Sequence, residues 1–340
     1  MKKLLNTLYV STQGVYLHRE GESLVAEKEK QVLLRLPIHT LSGIVCFGDV
    51  LCSPFLLGLC GERGVRVSFL SEHGNFLARA EGPVSGNVLL RMEQVRMADS
   101  PERALVPARC FILGKIMNCR FLIQRRIRDH GETELCKTAV DQLASFARRL
   151  KNAPDGDSVR GCEGSAAELY FRTFNELILS RDDAFMLRNR NRRPPLDPIN
   201  SLLSFLYTLL AHECVSALET VGLDPQIGFL HGIRPGRPGL ALDLMEEFRP
   251  VLADRLALSL INLNQIQPKG FKFTESGAVL MNDETRKTVL TAWQNRKQEE
   301  ILHPFLGEKV RIGLLPYIQS MILARYIRGE LDLYPPFLAK

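Results

Sequence analysis

Three features of these 340 residues predict an α+β chain, with a small N-terminal β-rich domain followed by a larger, mostly α-helical one. Through the first eighty positions apolar and polar residues alternate, as half-buried strands require. Beyond residue 86 the apolar residues recur at three- and four-residue steps, which places them on one face of a helix. Between the two regimes, Glu81-Gly82-Pro83-Val84-Ser85-Gly86 gathers residues that favour turns and chain breaks. The expected organisation is a β-rich domain over 1–82, a linker over 83–87 and a helical domain over 88–340. Hydrophobic residues at 45% and charged residues at 24% make an ordinary globular balance, which excludes disordered, collagen-like and fibrous classes.

Thr7-Leu8-Tyr9-Val10-Ser11 reads as the first strand and stops at Gln13-Gly14. Strands follow at 15–18 and, past Gly21-Glu22, at 24–28, short and joined by tight turns, and further runs lie at 32–36, 44–47, 65–70 and 76–80. One helix interrupts them at 53–59, with Ser53 as N-cap and Pro54 at the first helical position. In the second domain the periodicity predicts helices over 89–97, 108–128, 139–150 and 163–179. Asp197-Pro198 opens another, whose apolar face runs Leu202, Leu206, Leu209, Leu210, Cys214. A short hairpin over 271–281, turning at Glu275-Ser276-Gly277, precedes helices at 283–298 and 310–328.

The longest apolar run, 202–211, is broken by Ser204 and Thr208 and falls short of the roughly 20 residues a bilayer span needs. The N-terminal MKKLLNTLYV lacks the apolar stretch of a signal peptide, so a cytoplasmic protein is expected. Eight cysteines show no C-x-x-C pair and read as buried, reduced thiols. A net charge of +6 identifies no partner by itself, so the distribution of charge matters more. Arg188, Arg190, Arg192 and Arg193 fall within six residues and are followed by Pro194-Pro195, which keeps the segment out of a regular helix. Further clusters lie at Arg120, Arg125, Arg126 and Arg128, at Arg148, Arg149 and Lys151, and at Arg311, Arg325 and Arg328. One such cluster alone is a solvated face; several in one domain beside an acidic site point to a nucleic-acid backbone.

The acidic site is assembled from distant segments. His231 lies on a loop between Gly228 and Gly236. Asp243 and Glu246 stand three apart on one helix face, with Leu242, Met245 and Phe248 on the apolar side. Two carboxylates on one stripe repel, and a cation or proton between them relieves the repulsion. Glu163 opens a helix beside Ser165, Ala166 and Ala167, which let a second helix approach; interaction with the helix N-terminus is its alternative role. Imidazole with two carboxylates suits Mn²⁺ or Mg²⁺ rather than structural zinc. Tyr170, seven residues after Glu163, faces the same side and either supports the site or packs.

Glu163-Gly164 with Tyr170-Phe171, then Arg192-Arg193-Pro194-Pro195 with Asp197, Asn200 and Tyr207, then Gly228-Phe229-Leu230-His231, then Asp243-Leu244-Met245-Glu246-Glu247-Phe248-Arg249-Pro250, form an ordered set. In order and separation it resembles the CRISPR-associated integrase/endonuclease of spacer acquisition, the universal first-numbered Cas protein, in the style of type I systems. The resemblance implies a metal-dependent DNA endonuclease and integrase that joins captured double-stranded fragments to CRISPR repeat DNA by transesterification. It carries the catalytic metal ligands onto Glu163, His231 and Glu246, with Asp243 as a supporting acid. It also implies a homodimer formed through the β-domain, with two dimers bridged by the small second-numbered Cas protein. The arginines at 188, 190, 192 and 193 are expected at the DNA backbone. Two other readings stand beside this one: a stand-alone metal-dependent nuclease acting on branched DNA, and a non-catalytic DNA-binding scaffold in which the three side chains satisfy core hydrogen bonds.

Overall fold

The computed structural model describes residues 6–72, 74, 76–80, 82, 88–180, 182–191 and 194–339. The linker expected at 83–87 and the side chains of Arg192 and Arg193 lie outside the described residues. The chain divides into two compact units, Met1–Ser85 with Met281–Gln298, and Gly86–Leu280 with Glu299–Lys340.

In the first unit, β1 (Thr7–Val10), β5 (Gly43–Phe47), β7 (Arg66–Leu70) and β8 (Phe76–Ala80) form one four-stranded sheet in that order. A second sheet runs β4 (Gln31–Pro37), β3 (Ser23–Lys28), β2 (Val15–Glu20), β6 (Val50–Cys52). The turn read at Gly21-Glu22 joins β2 to β3, and β2, β3 and β4 pair antiparallel, while the break at Gln13-Gly14 leads from one sheet to the other. Between β1 and β2 and from β4 to β7 the chain crosses between sheets, so β1 pairs β5, β5 pairs β7 and β2 pairs β6 in parallel, whereas β7 and β8 pair antiparallel. Alternation fixes which face of a strand is buried but not which strand lies beside it. Leu17, Leu24, Ile38, Ile44, Cys46, Leu56, Leu59 and Val67 fill the core. Helix α1 (Pro54–Glu62) begins as read: Ser53 Oγ accepts from Leu56 N at 3.2 Å, and Pro54 takes the first turn.

The domain boundary requires a correction. The helix at Asp283–Gln298, read as part of a helical domain over 88–340, groups with the β-rich unit. Gln294 Nε2 donates to the Thr7 carbonyl at 2.6 Å, Lys297 Nζ reaches Thr7 Oγ1 at 3.3 Å, and Arg286 donates to the Glu72 carbonyl. A helical period identifies a buried face without naming what covers it.

The second unit contains α2 (Val88–Asp99), α3 (Pro101–His130), α4 (Glu134–Lys151), α5 (Gly156–Thr173), α6 (Pro198–Val221), α7 (Gly239–Phe248) and α8 (Arg255–Asn262). The Asp283–Gln298 helix is α9, and α10 (Leu315–Ile327) is again in the second unit. The expected hairpin forms between β9 (Phe271–Phe273) and β10 (Val279–Met281). An additional one, β11 (Glu300–His303) with β12 (Glu308–Arg311), takes the first residues of the helix read over 310–328. Helix α3 starts two turns earlier than its periodicity indicates, capped by Ser100 and running through Pro107. Helix α5 also starts early. Asp155 Oδ1 accepts from Ser158 N at 2.8 Å, so Glu163 lies two turns inside the helix rather than at its N-terminus. The N-terminal role weighed for that carboxylate is thereby removed. Helix α6 is long and apolar enough by composition to cross a membrane, but 67% of its most apolar window is buried inside the unit, where α7 and α10 pack on it. All eight cysteines are free thiols.

Candidate active site

Helices α3, α5 and α7 each send one charged side chain to the same point. Lys115 sits on the apolar stripe of α3 with Phe111, Ile112, Ile116 and Cys119, all buried. A buried ammonium requires paired charge, and two carboxylates supply it. Lys115 Nζ forms an ion pair with Glu163 Oε1 from α5 and a second with Glu246 Oε2 from α7 at 2.8 Å. One turn beyond, Arg249 Nη2 reaches Glu246 Oε1 at 3.0 Å. Burial alone would raise the Glu246 pKa; Arg249 and Lys115 outweigh it and hold the carboxylate at about 2. Glu246 is therefore held as a carboxylate well below the usual range, with 3% of its surface exposed.

His231 reaches the site on the loop between α6 and α7. Gly222, in the left-handed region at φ +88°, ends α6, and the loop folds back over the start of α7. Asp243 holds it there. Its Oδ2 accepts from Phe229 N at 2.6 Å and Leu230 N at 3.0 Å, and its Oδ1 from His231 N at 2.9 Å and His231 Nδ1 at 2.6 Å. An ionised carboxylate can only accept, so the ring hydrogen is on Nδ1 and the lone pair of a neutral ring is on Nε2. Arg160, one turn before Glu163 on α5, donates to the Leu230 carbonyl at 3.0 Å and ties the same loop to the helix that carries Glu163. Asp243 thus accepts four hydrogen bonds from the 229–231 loop and positions His231, while Glu246 is paired separately with Lys115 and Arg249.

Behind Glu246 lies an aromatic platform. The Arg249 guanidinium stacks over the Tyr207 ring at 4.8 Å, and Arg190 lies over the same ring at 5.3 Å and over Phe171 at 5.8 Å. Tyr207 and Tyr170 donate to the two oxygens of Asp254 at 2.7 and 3.0 Å. Tyr170 is buried and joins this platform through its hydrogen bond to Asp254. Arg190 departs from the expected DNA-facing role: it is half-buried, stacks on this platform and donates to Asn200 Oδ1. Arg188 remains exposed.

Among the described residues, no three His, Cys, Asp or Glu side chains stand together as a metal-holding group. The single three-ligand cluster read from the sequence is therefore present as two carboxylates gathered on Lys115, with His231 keyed beside them. The donor chemistry suits a divalent ion nonetheless: two carboxylates already converge on one positive charge, and the contact of His231 Nδ1 with Asp243 leaves Nε2 as the ring's other donor atom. Sequence reasoning missed Lys115, Arg249 and Asp254 as parts of the site. A lysine in the middle of an apolar helix stripe was the available signal for the first of these.

The family model described as CRISPR associated protein Cas1 matches residues 8–295. A CRISPR-associated endonuclease Cas1 of Chlorobaculum tepidum is 55% identical over 99% of both chains, and one of Rhodospirillum rubrum is 52% identical over 100% of both. Among solved structures, a CAS1 protein from Thermotoga maritima superposes with a TM-score of 0.85 at 24% identity, covering 97% of this chain and 99% of that one. A casposase bound to integration product also gives 0.85, at 21% identity over 99% and 95%.

Proposed function

The chain belongs to the Cas1 family of CRISPR-associated proteins, and on that premise we propose that it is a metal-dependent DNA endonuclease and integrase that inserts captured fragments into a CRISPR array. The relatives at 52% identity and above are named endonucleases, which supports nuclease chemistry. The observation that carries the reading is the convergence of Glu163 and Glu246 on one cation beside His231. Glu163, His231 and Glu246 would hold Mg²⁺ or Mn²⁺. When bound, such an ion polarises a phosphoryl oxygen and stabilises the oxygen that attacks or departs.

The rest of the chemistry belongs to the chain. Asp243 sets the tautomer and orientation of His231, and Arg249 with Lys115 keeps the Glu246 pKa low. Tyr207 and Tyr170, braced on Asp254, keep the Arg249 platform in place. A fragment's 3′-hydroxyl attacks a phosphodiester at the repeat boundary and a strand 3′-hydroxyl leaves, so phosphodiester bonds are exchanged without a covalent enzyme intermediate. Two ends must be joined at a fixed spacing, which calls for a symmetric homodimer. The second-numbered Cas protein is the proposed bridge between two dimers. Support comes from a structural neighbour of the same fold that is a Cas6-RT-Cas1–Cas2 complex. Arg188, Arg192 and Arg193 are the proposed backbone contacts, in a cytoplasmic protein acting on intracellular DNA.

Strand transfer of a labelled duplex into a repeat-containing plasmid, with Mn²⁺, Mg²⁺ or EDTA and with or without the small partner, tests the proposal. Joined product that EDTA abolishes and that Glu163→Ala or His231→Ala lowers at least about 10²-fold is expected. Hydrolysed ends alone would favour the branched-DNA nuclease, and undiminished joining in both variants would favour the scaffold.

A further inference from the structure

Glu163, Glu246, Lys115 and Arg249 carry two negative and two positive charges and so neutralise one another. Lys115 has 8% of its side chain exposed, Glu246 4% and Glu163 28%, so water screens the Lys115–Glu246 pair least. A divalent ion held by the same carboxylates would add two positive charges where the Lys115 ammonium already pairs with both Glu163 and Glu246. Desolvated like charges at that distance repel strongly. We infer that Lys115 is a resident counter-cation of the site: it holds Glu163 and Glu246 together when no metal is bound, and a divalent ion binds only by displacing it. The displaced ammonium then remains close by as a partner for the incoming DNA phosphate, so the metal and the DNA bind better together than either does alone. In this role Lys115 is a positioning residue acting through the two carboxylates, and the inference rests on the metal reading above.

Calorimetric titration of the full-length protein with Mn²⁺, in the absence of DNA, tests it. Lys115→Met keeps the aliphatic stem and removes the charge, so Mn²⁺ is expected to bind at least about tenfold more tightly than to the wild type, because nothing has to be displaced. Its metal-free melting temperature should drop and recover with saturating Mn²⁺. Lys115→Arg keeps the charge and should bind Mn²⁺ no better than the wild type. Equal or weaker binding by Lys115→Met, with binding still lost in Glu163→Gln, would overturn the counter-cation role and leave the metal site standing. No Mn²⁺ binding to any of these proteins would overturn the metal reading, and this inference with it. Should Lys115→Met not fold, amine acylation of the wild type followed by mass spectrometry gives the same decision. Saturating Mn²⁺ is expected to raise labelling of Lys115 severalfold, and unchanged labelling contradicts displacement.

Discussion

Burial pushes the Asp254 carboxyl up from its ordinary 3.8 to about 6, although Tyr207 and Tyr170 donate to it and Arg249 and Arg190 stand nearby. A carboxyl whose folded-state pKa is raised gives stability that is fully present below 3.8 and is lost as pH rises through 6. Asp254→Asn removes that loss. Between about pH 4 and pH 7 its urea stability relative to the wild type should improve by about 3 kcal/mol, the free-energy equivalent of the gap. Glu246 behaves in the opposite sense. Held at about 2 against an ordinary 4.5, it contributes stability above 4.5 that is lost as pH falls toward 2. Glu246→Gln leaves Lys115 and Arg249 facing a neutral amide and should cost about 3–5 kcal/mol in urea unfolding, apart from any effect on catalysis. At this scale His231 and the two glutamates were named as candidates because their residue types and order carry chemistry. Lys115 was not, because its meaning depends on which carboxylates the fold brings to it.

Gly114 shows how closely the helices of the site approach one another. A Cβ there would stand 2.9 Å from Glu247 Cγ on α7 and 3.2 Å from Pro336 Cβ in the C-terminal segment. Gly114→Ala must therefore move α7 or its side chains, and a loss of about 1–3 kcal/mol is expected in urea unfolding, with reduced strand transfer. Glu247 turns away from the site and anchors that segment: it accepts from Tyr334 Oη, Gln319 Nε2 and Phe337 N. Asn118 donates to the carbonyls of Glu247 and Phe337. Phe337 is fully buried and packs on Phe248 and His303, so Phe337→Ala should cost about 3–5 kcal/mol, again read by urea unfolding. Elements with strong local signals were legible, as at Ser53-Pro54 and Asp197-Pro198, where cap and proline coincide. Those set by pairing were not: β6 is three residues long, and β11 with β12 offers little alternation to read.

Taken whole, the α+β class was legible because the apolar period changes once along the chain, whereas the return of α9 to the β-rich unit was not, since it depends on hydrogen bonds to Thr7 and Glu72. Of the basic run, Arg188 is exposed and Arg190 is half-buried. Replacing Arg188, Arg192 and Arg193 with alanine should weaken DNA binding regardless of sequence and flatten its salt dependence by about 0.9 in log–log slope for each phosphate no longer neutralised. Arg190→Ala should instead lower stability, because that guanidinium lies on Tyr207 and Phe171. The central claim is that Glu163, His231 and Glu246 hold one divalent ion. Pulsed electron paramagnetic resonance of the protein loaded with a single equivalent of Mn²⁺ tests it most directly. One imidazole nitrogen coupling, lost in His231→Ala, with Mn²⁺ binding itself lost in Glu163→Gln, is the expected result. Mn²⁺ that binds without a nitrogen coupling, or that binds unchanged in both variants, would contradict it.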